Sequence, residues 1–219
     1  MTEALMLAGG WDGHEPRATC DLIAQTLAES DLRAHISESL DILTTDLSRF
    51  AVIVPCWTMG AITPEQEQGL LGHVRAGAGL AGWHGGMGDA FRSNSEYQFA
   101  VGGQFVAHPG NFIDYRVNIV DGAHPITAGL DDFDVHSEQY YMHVDPSNNV
   151  LATTTFSGQH APWVEGTIMP VVWTRRYGAG RVAYSALGHN ALDLARQPAR
   201  TLAARCILWA AGMLEGGVR

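Results

Sequence analysis

The run Ala51–Cys56, AVIVPC, carries no polar side chain, and a helix start follows it at Thr63-Pro64-Glu65-Gln66. An extended segment that is apolar on both faces has to be covered on both, which is the situation of a parallel strand between helices. The start signal is complete. Threonine stands at the N-cap, proline at the first helical position and glutamine three residues after the cap, predicting a helix to about Arg75. The alternation recurs on either side. Glu3–Ala8 predicts a strand ending at Gly9-Gly10, and Pro16 to Glu29 a helix with Leu22, Ile23 and Leu27 on one face. Leu32–Ile36 and Gly79–Trp83 predict two more strands. Short strands alternating with helices build an α/β fold around a parallel sheet.

Further along the pattern loosens. Residues 88–111 mix polar, aromatic and glycine residues and predict a short helix plus a long functional loop. Phe112–Val120, Val150–Phe156, Met169–Thr174 and Arg181–Leu187 predict strands, the last two joined by a glycine turn at Tyr177-Gly178-Ala179-Gly180. A last helix from about Pro198 is expected to bury Leu202, Cys206, Trp209 and Met213 at helical spacing. With no repeat or linker in between, residues 1–219 read as one domain.

Charge removes several partners from consideration. The net charge is −10 and no basic run occurs, so a nucleic-acid partner is not expected. No apolar run approaches the roughly 18–20 residues that span a bilayer, and Met1–Gly10 lacks the basic start and apolar core of a signal peptide. Cys20, Cys56 and Cys206 are too few and too scattered for a disulfide framework or a zinc cluster. A cytoplasmic protein with reduced thiols is the expectation, with no nucleotide cofactor.

Ligands of open parallel sheets bind beyond the carboxyl ends of the strands. The first strand runs into Trp11, Asp12 and His14, the third into Cys56 and Trp57, and the fourth into Trp83 and His84. Tryptophan beside hydrogen-bonding groups suits the flat C–H faces of a sugar ring, though the same side chains can simply cap the sheet as core. Gly82-Trp83-His84-Gly85-Gly86 has the strand–turn–helix pattern of a nucleophile elbow, with glycines permitting the tight turn. Imidazole at the apex serves as a base or a metal ligand, not as a thiolate does. His14, His84, His108, His136, His143 and His189 fall near these segments. If the chain is extended there, His136 and Glu138 share a face. Imidazole and carboxylate together suit zinc, manganese or iron. No compact ligand signature is present, so any such site has to be assembled from distant segments, and isolated structural histidines remain the alternative.

Several segments in sequence order carry a family resemblance. They are Gly79-Leu80-Ala81-Gly82-Trp83-His84-Gly85-Gly86, Tyr97 with Gly102-Gly103-Gln104-Phe105 and His108-Pro109, and Glu138-Gln139-Tyr140. The last is Pro170 and Trp173 with Tyr177-Gly178-Ala179-Gly180-Arg181-Val182 and Leu187-Gly188-His189. The chain thereby resembles ThuA-like (trehalose utilisation) proteins from its first strand to its last helix. The resemblance implies a flavodoxin-like, class I glutamine amidotransferase-like three-layer sandwich with a mostly parallel central sheet. It also implies a link to trehalose or keto-sugar metabolism. On it, His84 takes the elbow position where amidotransferases carry cysteine, His189 follows a late strand like their triad histidine, and Glu138 matches the family's Glu-x-Tyr. Without a thiol at the apex no glutaminyl thioester forms, which disfavours glutamine hydrolysis.

The site expected is therefore His84, His189 and Glu138 as catalytic groups, with Trp11, His14, Trp57, Trp83, His108 and Tyr140 around a carbohydrate. A divalent ion would be held by His84, His108 and His189. Hydrolysis and isomerisation of a sugar derivative both fit such groups. A non-catalytic sugar-binding or assembly protein that keeps the pocket is the competing reading, and homo-oligomerisation is expected of either.

Overall fold

The computed structural model describes residues 2–214; Met1 and residues 215–219, which the single-domain reading includes, lie outside the described residues. The first half follows the expected alternation: β1 (Thr2–Gly10), α1 (Pro16–Leu27), β2 (Leu32–Ser37), β3 (Phe50–Thr58), α2 (Pro64–Arg75), β4 (Gly79–Trp83) and the one-turn α3 (His84–Gly88). The cap of α2 forms as its sequence dictates. Gln66 N donates to Thr63 Oγ1 at 3.2 Å, and Thr63 N donates to Gln66 Oε1 at 3.0 Å.

The second half comprises α4 (Ser95–Val101), β5 (Gly103–Ala107), β6 (Phe112–Ile119), β7 (Phe133–Glu138), β8 (Tyr141–Val144), β9 (Asn149–Thr155), β10 (Ile168–Tyr177), β11 (Gly180–Ser185), α5 (Ala191–Leu194) and α6 (Ala199–Ala210). Among the described residues, nine strands form one sheet in the order β2-β1-β3-β4-β11-β10-β9-β6-β7, and β5 pairs with β8 alone. The half from β2 to β11 is parallel and the half beyond it is built of antiparallel pairs, so the central sheet is mixed. β5 lies where a loop was expected, and β8, its partner, lies in a segment for which no element was predicted. GQFVA is half-buried without alternation, and only a distant partner makes it a strand.

Helices cover both faces. The Cα of Gly79 abuts α6, where an added Cβ would lie 2.4 Å from the Ala210 carbonyl oxygen. Gly180 lies on the other face, since its strand pairs Val182 with Leu80, and there an added Cβ would lie 2.4 Å from the Val74 carbonyl oxygen of α2. Only glycine permits such approach of backbone to backbone. Between the layers, Trp173 and Tyr184 are fully buried with ring centroids 4.3 Å apart. Trp209 and Met213 are only half-buried, because α6 ends at Ala210 and its last turn lies at the rim. No helix among the described residues is long and apolar enough to cross a membrane.

Candidate metal centre and adjoining pocket

Four strand ends converge. After β1 the chain makes a short 3-10 turn, Asp12–His14, that tucks His14 under the sheet edge, and Glu15 follows with φ 48°. At the end of β4 the chain turns at once into α3, and His84 at the apex has φ 45°. A left-handed backbone is rare for a residue with a Cβ and persists where its surroundings impose it. Here the Tyr184 hydroxyl donates to the His84 carbonyl at 3.0 Å from below. Glu138 closes β7, and His189 follows β11 after Gly188 at φ 102°.

The side chains at these ends meet. His84 and His189 ring centroids are 5.3 Å apart, with His14 4.8 Å from the first and 4.9 Å from the second. Oε2 of Glu138 lies 3.3 Å from His84 Nε2 and 3.2 Å from His189 Nδ1. One donor atom from each of His14, His84, Glu138 and His189 fits within 4.8 Å of every other. A tetrahedron of ligands about 2.1 Å from a central ion has edges of roughly 3.4 Å, close to the two Glu138–imidazole separations of 3.3 and 3.2 Å.

Electrostatics favour uncharged imidazoles around an ionised carboxylate. Burial, with His84 and His189 adding to it, pushes His14 down to about 3. Burial also lowers His84, against the pull of Glu138. Glu138 is pushed up by burial, yet His189 and His84 outweigh this and hold it below the usual carboxylate range. Neutral imidazole and ionised carboxylate are the forms that bind metal. The remaining ring nitrogens are tied down: His14 Nδ1 lies 2.6 Å from Thr58 Oγ1 and His84 Nδ1 2.9 Å from the Tyr140 hydroxyl. In the tautomers whose Nδ1–H is donated to these hydroxyls, both Nε2 lone pairs face the cluster. His84 Nε2 and His189 Nδ1 are buried and make no hydrogen bond among the described residues. Each such orphan costs about 1–3 kcal/mol. An ion at the centre satisfies both, so the residues fit a divalent metal.

A cavity of about 160 Å³ adjoins the cluster. Trp11, Phe105 and Tyr140 line it, together with Thr58, Asp89 and Arg92. Asp89 is buried and holds Arg92 through two hydrogen bonds, Nε to Oδ1 at 2.5 Å and Nη2 to Oδ2 at 2.8 Å. A larger groove of about 430 Å³ opens between the ends of α2 and α6. Its Arg176 and Arg181 are held by the carbonyls of Ala179 and Trp209, and among the described residues no cluster of metal donors faces it.

The structure thus brings together His84, His189, Glu138, His14, His108, Trp11 and Tyr140 of the expected residues. The donor set differs from the one expected. His14 and Glu138 join His84 and His189, while His108 stands outside, its Nε2 3.7 Å from Glu138 Oε1 at the pocket wall. Trp83 is 2 % exposed and lies in the core, because β4 is central and covered on both faces. Trp57 packs its ring over Gly9 and Gly60, away from the pocket lining. His136 does share the extended strand with Glu138 but pairs with Asp114 at the surface, and His143 is exposed on β8. Thr58, Asp89, Arg92 and Phe105 were missed. Thr58 alone was open to the strand-end rule, since it is the last residue of β3.

Gly85 shows how tightly the cluster is packed. A Cβ there would lie 2.4 Å from His14 Cε1 and 3.0 Å from the Tyr140 hydroxyl. Gly85→Ala is expected to push the His14 ring off the cluster and weaken metal binding at least about tenfold, the scale of disturbed ligand support. Far-UV circular dichroism should stay native; unchanged metal affinity would mean the ring has room to move.

Comparison with known proteins gives the family and the fold. A family model described as ThuA, trehalose utilisation, matches residues 3–210. The fold is similar to that of a ThuA-like protein from Parabacteroides merdae, with TM-score 0.80 and 20% identity, covering 99% of this chain and 92% of that one. A ThuA-like protein from Bacteroides uniformis gives TM-score 0.80 at 16% identity, covering 99% and 94%. A protein from Salmonella typhimurium LT2 described as cytoplasmic gives TM-score 0.64 at 13% identity, covering 95% and 99%. No curated protein sequence matches the chain.

Proposed function

Because the chain belongs to the ThuA family, trehalose utilisation, we infer that it is a divalent-metal-dependent enzyme acting on a sugar or keto-sugar derivative, as a hydrolase or an isomerase. One observation carries this reading: two buried imidazole nitrogens without hydrogen-bond partners among the described residues flank a single carboxylate oxygen, beside a pocket of about 160 Å³ that His14 and Glu138 line. A zinc, manganese or iron ion held by His14, His84, Glu138 and His189 would act as a Lewis acid on a substrate oxygen through a further coordination position beyond these four donors.

The chain's own groups supply the rest. Trp11 is 45% exposed at the pocket wall and offers a face for the apolar side of a sugar ring. Arg92, anchored on Asp89, turns guanidinium N–H groups toward hydroxyl or carbonyl oxygens. His108 is the partly exposed imidazole of the wall and is positioned to carry a proton between substrate and solvent. Tyr140, whose phenol is pushed up by burial, stays protonated and keeps His84 oriented. At the elbow apex an imidazole replaces a thiol, so the acyl chemistry of an amidotransferase has no nucleophile there. The description of the Salmonella relative supports a cytoplasmic setting.

The test is metal analysis of the purified protein followed by thermal-shift screening of sugars and keto-sugars with the metal present. Stoichiometric metal is expected. Saturation at about 100 times the dissociation constant should stabilise the fold by roughly 2.7 kcal/mol. A protein that takes up none of the three metals would refute the reading. Metal without any sugar response or turnover would point instead to a binding or assembly protein.

A further inference from the structure

We propose that Asp193 is a positioning residue, whose carboxylate locks His189 and Glu138 into the arrangement that receives the ion; the proposal rests on the metal reading above. Asp193 lies on the one-turn helix α5 and is 8 % exposed. A single oxygen, Oδ2, accepts the Ser137 hydroxyl at 2.6 Å and the backbone N–H of His189 at 2.9 Å. Ser137 immediately precedes Glu138, so one carboxylate grips two of the segments that carry donors.

Both segments need such a grip. β7 is the edge strand of the sheet, paired on one side only, and Glu138 is its last residue. His189 belongs to a turn that begins at Gly188 in a left-handed conformation, outside any strand ladder. Capping α5 does not account for the carboxylate, because Asn190 performs that task by accepting from Asp193 N at 2.9 Å. A second strut runs the same way. Glu15, next to His14, accepts the backbone N–H of Ala191 at 3.0 Å. Three of the four donor segments are therefore tied to α5 by carboxylates that contribute no donor atom. Partners of this kind fix ligand orientation, and their loss typically weakens metal binding about 10–100-fold.

Zinc affinity by chelator competition should fall by about that factor in Asp193→Ala and by less in Asp193→Asn, which keeps one acceptor oxygen. In a double-mutant cycle, Asp193→Ala should cost clearly less in the His189→Ala background than in the parent, because only the part that acts through Ser137 and Glu138 is left to lose. A purely structural role predicts additive losses, and additivity would overturn the proposal. Amide hydrogen exchange supplies a readout that needs no metal. Exchange at His189 should accelerate at least about tenfold in Asp193→Ala, while Cys206 in α6 is unchanged. Unchanged exchange at His189 would refute the strut. If Asp193→Ala does not fold, Asp193→Asn carries the same measurements. If the parent protein binds none of zinc, manganese and iron, the metal reading fails and the exchange data still decide the role of Asp193.

Discussion

The Glu138→Gln protein is expected to bind a divalent ion on the order of a hundredfold more weakly than the parent chain and to lose turnover of any sugar substrate. Glu138 is the single carboxylate in the donor group, the other members being the imidazoles of His14, His84 and His189. Binding free energies of four-ligand zinc sites run to roughly 10–16 kcal/mol. One ligand's share is about 3 kcal/mol, or on the order of a hundredfold in affinity. Glutamine matches glutamate in size, so the β7 end and its bond from Ser137 to Asp193 should survive. The fold is then not the variable, and the melting temperature of the metal-free protein checks this. Competition against a chromophoric chelator reads the affinity directly. Equal affinity in the two proteins would remove Glu138 from the ligand set and, with it, the account of the centre. His84→Asn makes a useful companion. Asparagine tolerates the left-handed backbone observed at the apex, so the imidazole is lost without adding strain.

The largest loss of stability is expected from Trp173→Ala, about 3–5 kcal/mol. Trp173 is fully buried on β10, against Tyr184 of β11, and its Nε1–H donates to the Val101 carbonyl at the end of α4 over 2.9 Å. Removing the indole opens a cavity between sheet and helix and leaves that carbonyl unpaired. For a domain of this size each kcal/mol moves the melting temperature by about 2–4 °C, so a fall of roughly 6–20 °C is expected. The effect should reach the metal centre, because Tyr184 is also the residue that holds the His84 carbonyl. Trp173→Phe, which keeps an aromatic ring but no donor, should lose less, about 1–3 kcal/mol for the orphaned carbonyl. Calorimetry of the two variants separates cavity from hydrogen bond. A Trp173→Ala protein that melts within a degree or two of the parent would contradict the packing described here.

Local chemistry made much of this molecule legible in advance. The AVIVPC run and the threonine–proline–glutamine start specify β3 and α2 through side chains within a few residues of one another. The GWHGG turn announced its bend for the same reason, since glycine placement and strand length are local properties. The identity of the donor set was not local. His14, His84, Glu138 and His189 lie on four separate segments, and their donor atoms must agree to within a few tenths of an ångström before an ion can bind. Counting histidines selected His108, which the fold leaves on the pocket wall. It overlooked Asp193, whose role depends on contacts with Ser137 and His189.

The mixed sheet divides in the same way. Strands buried on both faces are apolar throughout and can be read singly. The antiparallel half and the β5–β8 pair rely on cross-strand partners that no short window contains. Sequence alone therefore determined the elements of the parallel half and where the chain bends, because hydrophobic period, capping and glycine act over a few residues. Tertiary structure alone decided which bends face one another and which imidazoles share a carboxylate, because those distances are set by sheet order and by packing across the whole chain.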